Sequence, residues 1–103
     1  MTEHDLMKKI QLTLSEMGYA PFRTNVGKVK MADGRFFDTG LPKGFSDIFC
    51  VQPGTGRAVF IEVKKPGGRV SDEQRRFIEV MKGYGAIAGV CYSVDEAVKL
   101  CRG

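Results

Sequence analysis

The chain has 103 residues, 43% of them apolar, which is enough for one compact domain (1–103) and leaves no material for a second core. No run approaches the roughly 20 apolar residues that span a bilayer, and the opening MTEHDLMKK carries acids where a signal peptide has its apolar stretch, so an intracellular protein without a membrane segment is expected. Sixteen Lys and Arg against twelve Asp and Glu leave +4, a surplus that suits a polyanionic partner but does not distinguish DNA from RNA or an acidic protein. Cys50, Cys91 and Cys101 have no CxxC spacing; they read as reduced, buried, small apolar residues, and even with His4 they form no paired-ligand zinc pattern.

In chain order, Leu6, Met7, Ile10, Leu14 and Met17 recur at three- and four-residue spacings, which predicts an amphipathic helix over 2–17, N-capped by Thr2 and closed by Gly18. From Tyr19 to Met31 the chain turns extended and basic, with Phe22, Val26 and Val29 interrupted by Pro21 and Gly27, a strand with an irregular edge. Residues 32–44 form a long glycine-rich loop. Asp47–Val51 and Ala58–Lys64 read as strands joined by the hairpin signal Gln52-Pro53-Gly54-Thr55-Gly56-Arg57. Ser71 with Gln74, and Ser93 with Glu96, are capping boxes that open two further helices, with a strand over Ala86–Tyr92 between them. The order helix-strand-strand-strand-helix-strand-helix implies an α/β fold, a mixed central sheet covered by helices, with the last crossover parallel.

Strand alternation over 58–64 puts Phe60, Glu62 and Lys64 on one face and Val59, Ile61 and Val63 on the other. A hairpin centred on Gly54-Thr55 sets Asp47 directly opposite Glu62, their Cβ atoms roughly 5 Å apart, an arrangement of like charges that costs stability unless a cation lies between them. Singly, Asp47 reads as an ordinary residue leading into a strand and Glu62 with Lys64 as an exposed polar face; jointly, opposed acids with a lysine beside them in an apolar sheet point to a site. Glu3 falls at the centre of the first helix's apolar stripe, as either a fraying end residue or part of that site. Gln74 is either a pure cap or a second participant.

These residues resemble the PD-(D/E)xK nuclease superfamily, with Asp47 as the first acid and Glu62-Val63-Lys64 as the ExK element. Ser46 stands where the superfamily name has proline. More narrowly, Gly40-Leu41-Pro42-Lys43-Gly44-Phe45-Ser46-Asp47-Ile48, then Ile61 to Lys64, then Ser71 and Gln74, is similar to the VRR-NUC family of virus-type replication and repair nucleases. Glu3, the Arg23–Gly27 segment and Gly85-Ala86 fit as well, so the resemblance covers nearly the whole chain.

The resemblance implies a restriction-endonuclease-like core and a DNA endonuclease that hydrolyses phosphodiester bonds with Mg2+, for which Mn2+ substitutes. Asp47, Glu62, the Val63 carbonyl and Glu3 are its implied metal ligands, the last directly or through water; Lys64 and Gln74 complete the catalytic set. With the three acids engaged by metal, sixteen basic groups face nine acidic ones. Lys28, Lys30, Arg35, Lys43, Lys65 and Arg69 are candidate backbone contacts that position DNA without reading its sequence. Stand-alone family members imply a Holliday-junction resolvase, branched DNA as partner, a homodimer matching the two equivalent strands of a junction, and a bacterial or phage origin. The rival readings are a flap or non-specific DNA nuclease with the same site and a non-catalytic basic DNA-binding module.

Overall fold

The computed structural model describes residues 1–103, apart from the side chain of Val29, which lies outside the described residues. Its elements are α1 (Glu3–Glu16), β1 (Phe22–Arg23), β2 (Lys28–Lys30), β3 (Phe36–Asp38), β4 (Ile48–Val51), β5 (Ala58–Val63), α2 (Asp72–Gly83), β6 (Ile87–Cys91) and α3 (Val94–Cys101). The main sheet runs β1-β4-β5-β6, antiparallel until the parallel β5/β6 pair that the α2 crossover creates. Helix, three strands, helix, strand, helix is therefore the order of the main layer.

Thr2 caps α1 as the sequence predicts, and Asp5 at the third helical position adds a capping box by accepting the Thr2 N–H with its carboxylate. The buried stripe of α1 is Leu6, Met7, Ile10 and Leu14; Met17 is the C-cap and is exposed, because the helix ends before its last turn can bury it. Those four pack with Ile48, Cys50, Val59, Ile61, Val63 and the α3 residues Ala97 and Cys101 in one core. All three cysteines are buried and unpaired. The other sheet face carries Phe60 and Ala88 beneath Ile78 of α2. There Phe45, Phe60 and Phe77 stack edge to face or tilted at centroid distances of 4.6–5.7 Å, locking α2 to the sheet.

The one strand expected over Tyr19–Met31 is two strands in different sheets. Thr24 ends pairing with the main sheet by donating its N–H to the Asp47 carbonyl (2.9 Å), and Gly27 turns the chain away at φ +76°. The supposed loop 32–44 contains β3, which pairs antiparallel with β2 to form a separate ribbon. Asp33-Gly34, with Gly34 at φ +88°, makes its turn, a hairpin signal that the glycine richness of 32–44 masks.

Gly44 sits at φ +95°, and a Cβ there would meet the Glu73 carbonyl oxygen at 2.6 Å. Only glycine lets the turn before Asp47 rest against the first turn of α2. Gly44→Ala is expected to cost about 2–4 kcal/mol in urea unfolding, from the left-handed backbone plus overpacking. Gly18→Ala, at φ +91° with no atom within 4 Å, should lose only about 1–2 kcal/mol. Equal losses would disprove the role of close approach.

Candidate active site

β4 and β5 pair Ile48 with Ile61 and Phe49 with Phe60, so one further step aligns Asp47 with Glu62, the register expected from the hairpin. Asp47 lies in the bend just before β4. Thr24 clamps that bend, with its hydroxyl donating to the Ser46 carbonyl and its N–H to that of Asp47. The Asp47 carboxylate then turns across to β5, where Oδ2 accepts the Val63 N–H at 2.8 Å. A backbone donor that would otherwise go unpaired at the end of the ladder thereby fixes the acid's rotamer.

Glu62 is only 2% exposed. On its face of β5 it follows Phe60, and Gln74 Nε2 donates to its Oε2 at 3.3 Å. Its Oε1 is buried with no hydrogen-bond partner. Burial, then the neighbouring Asp47 carboxylate, push the Glu62 carboxyl up to about 9; Lys64 opposes the shift and Glu3 adds to it. Gln74 resolves the alternatives left by the sequence. Its amide oxygen accepts the Ser71 N–H (2.9 Å) in the capping box while its NH2 group reaches Glu62, so it is both cap and contact.

Glu3, at the first position of α1, is partly buried, and its Oε2 stands 3.2 Å from where a Cβ on Gly68 would be, beside the Lys64 stem. Lys64 is partly buried, and its N–H continues the β5/β6 ladder to the Cys91 carbonyl at 3.1 Å. Glu3, Asp47 and Val63 line a pocket of about 220 Å3 together with His4, Met7 and Arg23. His4 and Arg23 were not singled out as site residues. In the sequence His4 stands out only beside the cysteines, and Arg23 only within a basic stretch and the family-like Arg23–Gly27 segment, because nothing local reveals that β1 runs beside Asp47. Among the described residues no three His, Cys, Asp or Glu side chains converge closely enough to hold an ion between them. The larger cavity, about 660 Å3 around Ala88, Lys99 and Leu100, contains none of the expected site residues.

The six basic candidates are all exposed but not gathered. Lys28, Lys30 and Arg35 belong to the β2–β3 ribbon, Arg35 in an ion pair with Asp33 (2.7 Å). Lys43 approaches Glu73 at 3.9 Å, and Lys65 and Arg69 follow β5.

Residues 24–95 match the family model described as the VRR-NUC domain. Over 57 residues the chain is 35% identical to the Fanconi-associated nuclease 1 homolog of Caenorhabditis elegans, a match covering 55% of this chain and 7% of that protein's length. A solved structure of a VRR_NUC domain superposes with a TM-score of 0.69 at 21% identity, covering 99% of this chain and 97% of the other, and so shares its fold. The matched family segment includes Asp47, Glu62, Lys64 and Gln74 and starts after Glu3 and Arg23.

Because the folded Glu62 carboxyl holds its proton to about pH 9 while an unfolded glutamate releases it near 4.5, the folded state binds more protons between those values. Stability without divalent ions should therefore be fullest below about pH 4.5 as far as this group is concerned, and decline as pH rises toward 9. Urea unfolding in a chelator from pH 5 to 9 should show this decline, and Glu62→Gln should flatten it; an unchanged slope in the variant would assign the dependence to other groups.

Proposed function

The chain belongs to the VRR-NUC domain family of DNA nucleases, and on that premise we propose that it is a metal-dependent endonuclease hydrolysing phosphodiester bonds in branched DNA, with four-way junctions as preferred substrate. The observation that carries the reading is the buried Glu62 carboxyl, one oxygen without a partner, set against Asp47. No structural requirement explains opposed acids in an apolar sheet. A hard divalent cation fits this donor set of carboxylates and a strand-end carbonyl.

Asp47, Glu62 and the Val63 carbonyl would hold Mg2+ or Mn2+. Glu3 would join through water, since its carboxylate does not converge with the other two into a three-acid cluster. When bound, the ion acidifies water and offsets the charge that builds on the phosphate. Gln74 keeps the Glu62 oxygen oriented, and the Val63 N–H keeps that of Asp47. Lys64, on the same strand face as Glu62, orients the nucleophile and stabilises negative charge in the transition state with its ammonium group. Lys28, Lys30, Arg35, Lys43, Lys65 and Arg69 are assigned to the DNA backbone, where they position without reading sequence. A four-way junction has two equivalent scissile strands, and a homodimer with one site per chain matches that symmetry.

Purified protein with Mg2+ or Mn2+ should nick a four-way junction faster than flapped or linear DNA of the same sequence. Lys64→Ala and Glu62→Ala should each lower the rate about a hundredfold or more while leaving junction binding largely intact. Equal rates in wild type and both variants would refute the site; equal rates on all three substrates would leave the site and refute the junction preference.

Ion binding must remove the proton from Glu62. Titration calorimetry with Mn2+ at pH 7, repeated in buffers of different ionisation enthalpy, should report release of about one proton per site, and Glu62→Gln should abolish both the release and most of the binding. Binding without proton release would place the ion elsewhere.

A further inference from the structure

The β2–β3 ribbon belongs to no larger sheet and packs chiefly within itself. A lone hairpin is marginal in water, yet this one carries Phe36 at 64% exposure and Phe37 at 58%. Folding of the chain does not require these rings to be uncovered, and their surroundings say what covers one of them.

In the ribbon's register Lys28 faces Asp38 and Lys30 faces Phe36. Directly opposed residues share a face and alternate residues return to it, so Lys28, Lys30, Phe36 and Asp38 lie on the same side. Phe36 is directly across from Lys30 and diagonal to Lys28. Asp38 is turned to its own bend, where Oδ1 accepts the Gly40 N–H at 2.9 Å. Among the described residues neither lysine has an acidic partner within 4 Å. This side of the ribbon is thus an aromatic ring flanked by two lysines, with one carboxylate, Asp38, held to its own bend, a combination that suits a base and its phosphates better than the apolar face of another protein.

The ribbon is also rooted at the active site. Its base is closed by the Thr39 N–H to the Gly27 carbonyl (2.9 Å), and Thr24, just upstream, donates to the Asp47 carbonyl. Four residues from Thr24 to Lys28 reach at most about 14 Å, so DNA whose scissile phosphate sits at Asp47 passes beside the ribbon. Inside a duplex every base face is already stacked; at a branch or a single-stranded end it is not.

We propose that this side of the ribbon is a stacking platform for an unstacked base of the DNA substrate, with Phe36 as the ring and Lys28 and Lys30 gripping the adjoining phosphates. The inference rests on the reading of the chain as a nuclease of branched DNA and supplies its means of telling a branch from a duplex.

The test measures fluorescence anisotropy without divalent ions, so that a four-way junction is open at its centre, with any residual cleavage silenced by Lys64→Ala, comparing that junction with a linear duplex of equal length. Adding Phe36→Ala should weaken junction binding about tenfold and change duplex binding less than about twofold, and Phe36→Tyr should restore it. Because the ring is exposed, the melting temperature should not move. An equal loss on both DNAs, or none on the junction, overturns the proposal. Conversion by Phe36→Ala of a dimer to a monomer in sedimentation also overturns it, by assigning the ring to a second copy of the chain. Discrimination by the parent protein that survives Phe36→Ala refutes the platform alone; a parent protein that never discriminates refutes the branched-DNA reading as well.

Discussion

A carboxyl group 2% exposed, placed against a second acid, is among the costlier arrangements a small domain can contain, because burial and like charge both oppose ionisation. The rest of the structure is organised around making that pair tolerable. Glu62 keeps its proton to about pH 9, and one oxygen is satisfied by Gln74. Asp47 is satisfied by the Val63 N–H, and Lys64 opposes part of the upward shift at Glu62. The Glu62 oxygen left without a partner is where, on the reading proposed above, a cation would enter.

The main sheet and the helix packed over Glu62 serve that geometry. The β4/β5 register aligns the acids, and the aromatic cluster of Phe45, Phe60 and Phe77 fixes α2 on the sheet so that Gln74 lies above Glu62. Gly44 lets the turn before Asp47 press against Glu73. These contacts couple the two secondary elements that supply the site, so a change in packing beneath α2 should be felt at the carboxylates. The opposite core, beneath α1 and α3, brings Glu3 and His4 to the same end of the sheet. The β2–β3 ribbon lies outside both cores. That division, a tightly packed frame holding the charged groups and an exposed ribbon beside it, suits a protein whose substrate is large and whose chemistry is local.

The basic surplus takes its meaning from position rather than number. Arg35 and Lys43 stand near acids of their own chain, and exposed pairs of this kind contribute little stability; they leave the surface less basic than a residue count suggests. Lys28 and Lys30 have no such partner among the described residues and share a strand face. Arg23 lines the pocket with Asp47 although it lies far from it in sequence.

Helices, their N-caps, the Ser71–Gln74 capping box and the Asp47–Glu62 register were legible in the sequence because each depends on residues close together: periodicity over a few turns, turn chemistry at Pro53–Gly56, caps at Thr2, Ser71 and Ser93; the box expected at Ser93 does not close, because the Glu96 carboxylate accepts the Tyr92 N–H instead. The same local rules carried an Asp-Gly hairpin at 33–34 that glycine richness disguised as loop. What only the tertiary structure decided is the state and company of those residues. Glu62's burial, the double role of Gln74, the pocket that gathers His4 and Arg23 with Asp47, and the standing apart of the ribbon all depend on atoms brought together from distant parts of the chain. Residue identity made Asp47, Glu62 and Lys64 candidates; desolvation and a neighbouring charge, which no local spacing encodes, made the pair a poised one.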